Sequence, residues 1–143
     1  MHSSVQRGVL LIAAFAGLAA VQGPPSDTVV RVTQAEFKKL FDAKQVVVID
    51  ARGGNAYKEC HITGAIELPL DNPTKPSPGF DQAVAKVKAA KKTVITYCAC
   101  PRDEDAVRVA SVLAERGVAD VRALRGGWND WFNDGNPVTC RGR

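Results

Sequence analysis

The chain has 143 residues, of which 45% are hydrophobic, and a formal net charge of +4. This length is typical of one domain, and the composition is sufficient for a buried core. The Lys and Arg residues are spread along the chain rather than clustered, which argues against a nucleic-acid-binding protein. The densest basic group lies in residues 86–92 and is typical of a solvated helix face.

The first residues have the three parts of a secretory signal peptide. A polar start with a positive charge is followed by residues 8–20, which are apolar and uncharged, and then by small residues and prolines. The apolar run is too short to span a bilayer comfortably. We therefore predict a signal peptide over residues 1–23, cleaved between Ala19 and Gly23, and an exported, periplasmic or secreted protein without stable membrane insertion. The alternative is an uncleaved signal anchor, because no clean small-x-small cleavage site is present.

Residues 24–30 form a predicted linker, and residues 31–140 a predicted folded domain. Thr33 and Glu36 have the spacing of a capping box, so a helix should follow and end near Ala43. Short apolar, β-branched runs predict strands, and apolar residues at helical spacing predict helices. Strands are expected at residues 45–50, 65–68, 93–97 and 120–124, a loop at 71–79, and the later helices at 55–60, 80–91, 103–116 and around Trp131.

Strands and helices alternate along the chain, which predicts an α/β fold with an open, mostly parallel sheet and helices on both faces. In such folds ligands bind beyond the carboxyl ends of the strands. Cys98 and Cys100 lie there, because they follow the strand predicted at residues 93–97. The next helix begins with three acidic residues, whose simplest purpose is to cap the helix.

A thiol between a strand end and a helix start is in a position that favours its reactive form. The unpaired N–H groups of the first helical turn stabilise an anion and lower the thiol pKa. Arg102 adds a positive charge within reach of Cys98. The alternative is that both cysteines are buried structural thiols, and the position alone does not decide between the two.

Two segments of the chain resemble signatures of the rhodanese family. Residues 57–68 are similar to its pattern of an aromatic residue, three further residues and His-Ile-Pro-Gly-Ala. Thr63 replaces the usual Pro, and Cys60 stands where Gly is common. Residues 121–131 are similar to the family's closing Gly-Gly-Trp-x-x-Trp segment. The order and spacing of these segments carry the resemblance.

Two shorter segments extend the resemblance over residues 32–138. Asp50-Ala51-Arg52 resembles the family's Asp-Val-Arg after the second strand, and residues 135–138 resemble its final turn. The resemblance implies a rhodanese-like, open and mostly parallel five-stranded sheet and a sulfurtransferase activity. In the family, the cysteine that ends the fourth strand takes sulfane sulfur from a small donor and holds it as a persulfide. It then passes the sulfur to a thiol or cyanide, and here that cysteine is Cys98.

The active loop departs from the family's pattern. The stretch from Cys98 to Arg108 is longer than usual in the family. Counted from the preceding strand, Cys98 is at the position of the family's cysteine, whereas counted back from the helix, Cys100 is nearer to that position. We take Cys98 as the carrier because the strand end fixes its position. Pro101 removes an N–H group from the loop, and the acids at 103–105 weaken the case for thiosulfate as a good substrate.

Three further residues are candidates for the site. Arg102, with the loop amides, is expected to hold the charge on sulfur. Arg52 is expected to support the site, either by steering an anion or, as is more common in the family, by pairing with acids and bracing the loop. Cys100 is a candidate catalytic thiol, because attack on a persulfide at Cys98 would close a small, strained and labile disulfide.

Metal and phosphate chemistry are not expected. His61 is predicted to be a hydrogen-bonded packing residue, and together with Cys98 and Cys100 it lacks a recognised zinc spacing. Neither a metal nor another cofactor is therefore implied. Phosphatases of this fold close a Cys-x5-Arg loop with Arg, but Glu104 stands at that position here.

Two functions follow from these residues. The first is an exported rhodanese-type sulfurtransferase that moves sulfane sulfur through a Cys98 persulfide. The second is a catalytically weak module of the same fold that binds a protein partner or buffers redox through Cys98 and Cys100. A dedicated thiol-disulfide enzyme is a further alternative.

The four cysteines allow 3 full pairings, and their pattern does not choose between these. If Cys98 and Cys100 are functional, Cys60 and Cys140 remain in an oxidising compartment. A disulfide between Cys60 and Cys140 is therefore a hypothesis that rests on parity alone.

Overall fold

A computed structural model of the chain describes residues 28–68, 70 and 79–142. The predicted signal peptide, most of the predicted linker and nearly all of the predicted loop at 71–79 lie outside the described residues. Among the helices of the described part, none is long and apolar enough to cross a membrane.

The strands are β1 (Arg31–Val32), β2 (Val46–Asp50), β3 (Cys60–Ile62), β4 (Ile66–Glu67), β5 (Thr93–Tyr97), β6 (Val121–Leu124) and β7 (Val138–Cys140). The helices are α1 (Gln34–Asp42), α2 (Ala56–Glu59), α3 (Phe80–Ala90), α4 (Glu104–Glu115) and α5 (Gly127–Asn133). Within the described residues, four of the seven strands and all five helices lie where the sequence predicts them, whereas β1, β3 and β7 were not predicted.

Five strands form one sheet in the order β1-β6-β5-β2-β4, and every neighbouring pair is parallel. This confirms the predicted α/β fold with a five-stranded sheet. The second sheet, an antiparallel pair of β3 and β7, was not expected from the sequence. Each of these strands has only 3 residues, which is too short for a clear pattern of alternation.

Buried side chains form a core on each face of the sheet. Val94 of β5 belongs to the cluster that includes residues of α3 and α4, such as Val87. The next residue, Ile95, points to the opposite face and packs in a cluster with Phe37 of α1 and Trp131 of α5. Helices therefore cover both faces, which accounts for the continuous apolar sequence of the central strand.

The ends of α1 and α4 illustrate one correct and one wrong prediction. The capping box of α1 is confirmed, because the Glu36 N–H donates to Thr33 Oγ1 at 3.2 Å and the Thr33 N–H donates to Glu36 Oε2 at 2.8 Å. At α4 the capping role predicted for the acids is wrong for Asp103, whose side chain makes no cap hydrogen bond. Asp103 has a φ of 60°, and its buried carboxylate is instead hydrogen-bonded by the Gly126 backbone.

Candidate functional site

Cys98 directly follows the carboxyl end of β5, which is the central strand of the five-stranded sheet. The preceding residue, Tyr97, pairs in register with Asp50 at the end of β2. Cys98 is 2% exposed, so its sulfur lies at the base of the loop that joins β5 to α4. This is the strand-end position that the sequence predicted for the reactive thiol.

The Gly-Gly-Trp turn packs directly against the backbone of Cys98. The Trp128 N–H donates to the Cys98 carbonyl oxygen at 2.8 Å. A Cβ atom on Gly127 would lie 2.1 Å from the same oxygen, so no other residue fits there without movement of the backbone. Asn129 adds a contact from its side-chain amide to the Ala99 carbonyl at 3.4 Å. The turn therefore fixes where the strand ends and where the cysteine loop begins.

Cys98 and Cys100 are joined by a disulfide bond. The Cys100 N–H faces Cys98 Sγ at 3.4 Å, and the Asp105 N–H, in the first turn of α4, faces Cys100 Sγ at 3.4 Å. We expected the N–H groups of the first helical turn to face Cys98, and this is wrong for the Asp105 N–H, which faces Cys100. The longer loop brings Cys100 to the helix start and leaves Cys98 with a loop amide.

Arg102 lies on the surface rather than over the cysteines. Its side chain is 87% exposed and its guanidinium pairs with Glu104, with the Nε atom 3.2 Å from Oε1. The Glu104 pKa is lowered by backbone hydrogen bonds and by Arg102. Most of the Arg102 charge is thus already balanced by its neighbour, and its role in holding charge on sulfur stays a prediction.

Arg52 pairs with a buried acid, as the bracing alternative predicted. Its guanidinium donates to both carboxylate oxygens of Asp50, at 2.6 Å for the shortest contact, and to the Cys60 carbonyl at 2.6 Å. Asp50 is fully buried and Arg52 is 9% exposed. Burial acts to lower the Arg52 pKa, but the hydrogen bonds and charge of Asp50 outweigh burial and raise it. Arg52 therefore connects the end of β2 to the start of β3 through Asp50 and the Cys60 carbonyl, and its role in supporting the site stays a prediction.

The buried Tyr97 and the partly buried Trp128 complete this cluster, and neither was predicted as a site residue. The Tyr97 hydroxyl donates to Asp50 and accepts from the Ile62 N–H at 3.1 Å. Burial and the Asp50 charge raise the Tyr97 pKa well above its ordinary value, so the hydroxyl stays protonated. The Arg52 guanidinium lies 4.2 Å from the centre of the Trp128 ring. Two features of the sequence could have identified these residues: Tyr97 directly precedes Cys98, and Trp128 belongs to the Gly-Gly-Trp motif.

His61 is confirmed as a hydrogen-bonded packing residue. Its ring stacks on Tyr57 with ring centres 4.0 Å apart, and its Nδ1 lies 2.9 Å from the Tyr57 carbonyl oxygen. No group of three or more His, Cys, Asp or Glu side chains that could hold a metal ion occurs within residues 28–68, 70 and 79–142.

Cys60 and Cys140 form the second disulfide of the structure, which confirms the pairing hypothesis. They are directly opposite each other in the β3–β7 pair. The Cys60 carbonyl also accepts the hydrogen bond from Arg52. The disulfide therefore connects the final strand to the charged cluster beneath the cysteine loop.

Comparisons with known proteins identify the family of the domain. Residues 33–134 match the family model of the rhodanese-like domain. A stretch of 93 residues is 27% identical to the thiosulfate sulfurtransferase GlpE of Shewanella oneidensis and covers 65% of this chain and 82% of that protein. A stretch of 106 residues is 28% identical to the adenylyltransferase and sulfurtransferase MOCS3 of Culex quinquefasciatus. It covers 71% of this chain but only 24% of that larger protein.

A solved structure agrees with the fold over most of the chain. The BH2092 protein of Bacillus halodurans is 28% identical and superimposes with a TM-score of 0.65, over 80% of this chain and 79% of that chain. The family match covers most of the residues that form the sheet and the helices, including the strand-end cysteine and the Gly-Gly-Trp turn. This chain belongs to the rhodanese-like domain family.

Proposed function

We propose that this domain is a sulfurtransferase that carries sulfane sulfur as a persulfide on Cys98. The observation that carries the proposal is the position of Cys98 at the end of β5, with the Cys100 N–H facing its sulfur. An N–H group so placed stabilises the thiolate that attacks a donor and the anionic persulfide that results. The relatives named as sulfurtransferases support sulfur transfer as the general activity.

The acids of the loop bear on the choice of donor. Glu104 and Asp105 lie at the start of α4, next to the cysteines in the chain, and Asp103 is buried beneath the loop. Glu104 pairs with Arg102 and Asp105 pairs with Arg108, so the three acids outnumber their two arginine partners and leave a net negative charge at the loop. That charge disfavours the approach of a doubly charged donor such as thiosulfate. We therefore propose a donor of lower charge, such as mercaptopyruvate or a low-mass persulfide, and a thiol or cyanide as acceptor.

Replacement of Cys98 by Ser should abolish persulfide formation. The protein is reduced, freed of reductant, and treated separately with mercaptopyruvate, glutathione persulfide and thiosulfate. Mass spectrometry of the intact protein and of its peptides should then show one added sulfur on Cys98 in Cys100→Ser, which lacks the neighbouring thiol, and none in Cys98→Ser. Cys100→Ser alkylated beforehand should also gain nothing, since the carrier must be a free thiolate.

Two other results would contradict the carrier assignment. If Cys98→Ser gains sulfur and Cys100→Ser does not, the carrier is Cys100. If no variant gains sulfur from any donor, the domain is a module that binds a partner or acts as a thiol-redox device. The Cys98–Cys100 disulfide is the observation that favours this second candidate function.

We also propose that the protein is exported and acts in the periplasm or outside the cell. The uncharged apolar run at residues 8–20 supports this, and so do the two disulfides, because stable disulfides are rare in reducing compartments. Expressed in a bacterium, the protein should leave the cytoplasm and lose roughly its first two dozen residues. Intact-mass analysis of cell fractions checks this, and full-length protein confined to the cytoplasm would contradict it.

A further inference from the structure

We infer that Cys100 resolves the persulfide on Cys98, so that the domain releases the bound sulfur as hydrosulfide and is left with the Cys98–Cys100 disulfide. This inference rests on the proposed function, because it needs sulfur to be loaded on Cys98 first. It adds a further activity, the reduction of sulfane sulfur by the protein's own dithiol.

The two sulfur atoms can react without rearrangement of the sheet. The backbone of Cys98 is held by the Trp128 N–H and by the close packing of Gly127, and the loop from Cys98 to Cys100 allows the two sulfurs to bond. A thiol held this close acts at a high effective concentration compared with a thiol in solution. Cys100 is therefore placed as the nearest acceptor for sulfur on Cys98.

The two cysteines differ in exposure and in their hydrogen-bond donors. Cys98 is 2% exposed, whereas Cys100 is partly exposed. The Asp105 N–H in the first turn of the 12-residue helix α4 faces Cys100 Sγ. An amide in that position stabilises the Cys100 thiolate, the form that attacks sulfur.

The reaction is a thiol–disulfide type of exchange that balances within the protein. The Cys100 thiolate donates its electron pair to Cys98 Sγ, and a bond forms between the two cysteine sulfurs. The anionic persulfide first takes up a proton from water, the bond from Cys98 Sγ to the terminal sulfur then breaks, and that sulfur leaves as hydrosulfide with the bonding pair and that proton. The two cysteines are oxidised to a disulfide, and the sulfane sulfur is reduced to sulfide.

The return to the dithiol requires an external dithiol reductant, which becomes oxidised to its own disulfide. Its thiolate attacks Cys100 Sγ, since Cys100 is the more exposed sulfur of the pair. Cys98 is then the leaving thiolate, and the Cys100 N–H facing it stabilises that charge. The second thiol of the reductant frees Cys100.

The test follows hydrosulfide release from loaded protein. Reduced wild type and Cys100→Ser are treated without oxygen with mercaptopyruvate, glutathione persulfide or thiosulfate, and excess donor is removed by desalting. Without added thiol, wild type should release about one hydrosulfide per chain and show the Cys98–Cys100 disulfide by peptide mass spectrometry. Cys100→Ser should keep its persulfide and release hydrosulfide at least about tenfold more slowly.

Variants at Asp105 test whether the Asp105 N–H contributes to the reactivity of Cys100. Asp105→Pro removes the N–H that faces Cys100, at a first-turn position where Pro is tolerated, whereas Asp105→Asn removes only the side-chain charge. Both variants lack the Asp105 carboxylate and should load sulfur on Cys98 to the same extent, but Asp105→Pro should release hydrosulfide several-fold more slowly than Asp105→Asn. Asp105→Asn should release it at least as fast as the wild type.

The outcomes separate this inference from the proposed function. If wild type holds a stable persulfide on Cys98 while Cys100 stays a free thiol, the inference is overturned and the proposed function stands. If neither wild type nor Cys100→Ser loads sulfur from any of the three donors, both are overturned.

Discussion

Replacement of Asp50 by Asn should lower the free energy of unfolding by about 3–5 kcal/mol. The substitution keeps the volume of the side chain but leaves the Arg52 charge without a counter-ion in a site where Arg52 is only 9% exposed. It also weakens the acceptor of the Tyr97 hydroxyl. Removal of one partner from a buried ion pair is much more costly than removal of an exposed pair, because the remaining charge stays buried. Urea denaturation at neutral pH measures the change.

The matched control is an ion pair on the surface. Lys38 and Asp42 lie at adjacent turns of α1, with side chains 46% and 56% exposed. Asp42→Asn should change the free energy of unfolding by less than about 0.5 kcal/mol, since water screens such pairs. The double variant Asp50→Asn/Arg52→Leu should recover part of the loss by removing the unpaired charge. A loss from Asp50→Asn no larger than that of Asp42→Asn would contradict the bracing role.

Removal of the Cys60–Cys140 disulfide should lower the free energy of unfolding by about 2–5 kcal/mol. The bond joins residues separated by 80 positions, so it strongly limits the conformations of the unfolded chain. In the native state it holds β7 against β3, where each strand contributes only 3 residues to the pair. Urea denaturation of Cys60→Ser/Cys140→Ser against the wild type measures the effect.

The second disulfide of the chain supplies the control. Cys98 and Cys100 are separated by only 2 positions, so their bond removes little conformational freedom from the unfolded chain. Cys98→Ser/Cys100→Ser should therefore lose clearly less stability than Cys60→Ser/Cys140→Ser. Equal losses, or a greater loss at the short loop, would show that the long-range bond is not the structural one.

These two disulfides lie in separate parts of the domain. The Cys60–Cys140 bond closes a small sheet away from the loop, and Arg52 connects it to the strand ends through the Cys60 carbonyl. The Cys98–Cys100 bond lies within the loop itself.

The order of strands and helices was determined by local signals in the sequence. The continuous β-branched run that ends at Asp50 predicted a strand buried on both faces. In the structure this run forms β2, an interior strand that pairs with β5 and β4. The spacing of Thr33 and Glu36 predicted the start of α1. The position of Cys98 after an apolar run predicted its place at a strand end. Each of these patterns involves residues that are close together in the chain, so it can be recognised from the sequence alone.

Only the tertiary structure decided how the site is arranged around that strand end. Arg52 pairs with Asp50, the Asp105 amide faces Cys100 rather than Cys98, and β3 pairs with a strand near the other end of the domain. Each of these contacts depends on the path of a loop or on segments far apart in the chain. Local propensity does not predict which distant residues will contact each other, because burial and long-range packing decide which side chains, amides and strands are paired.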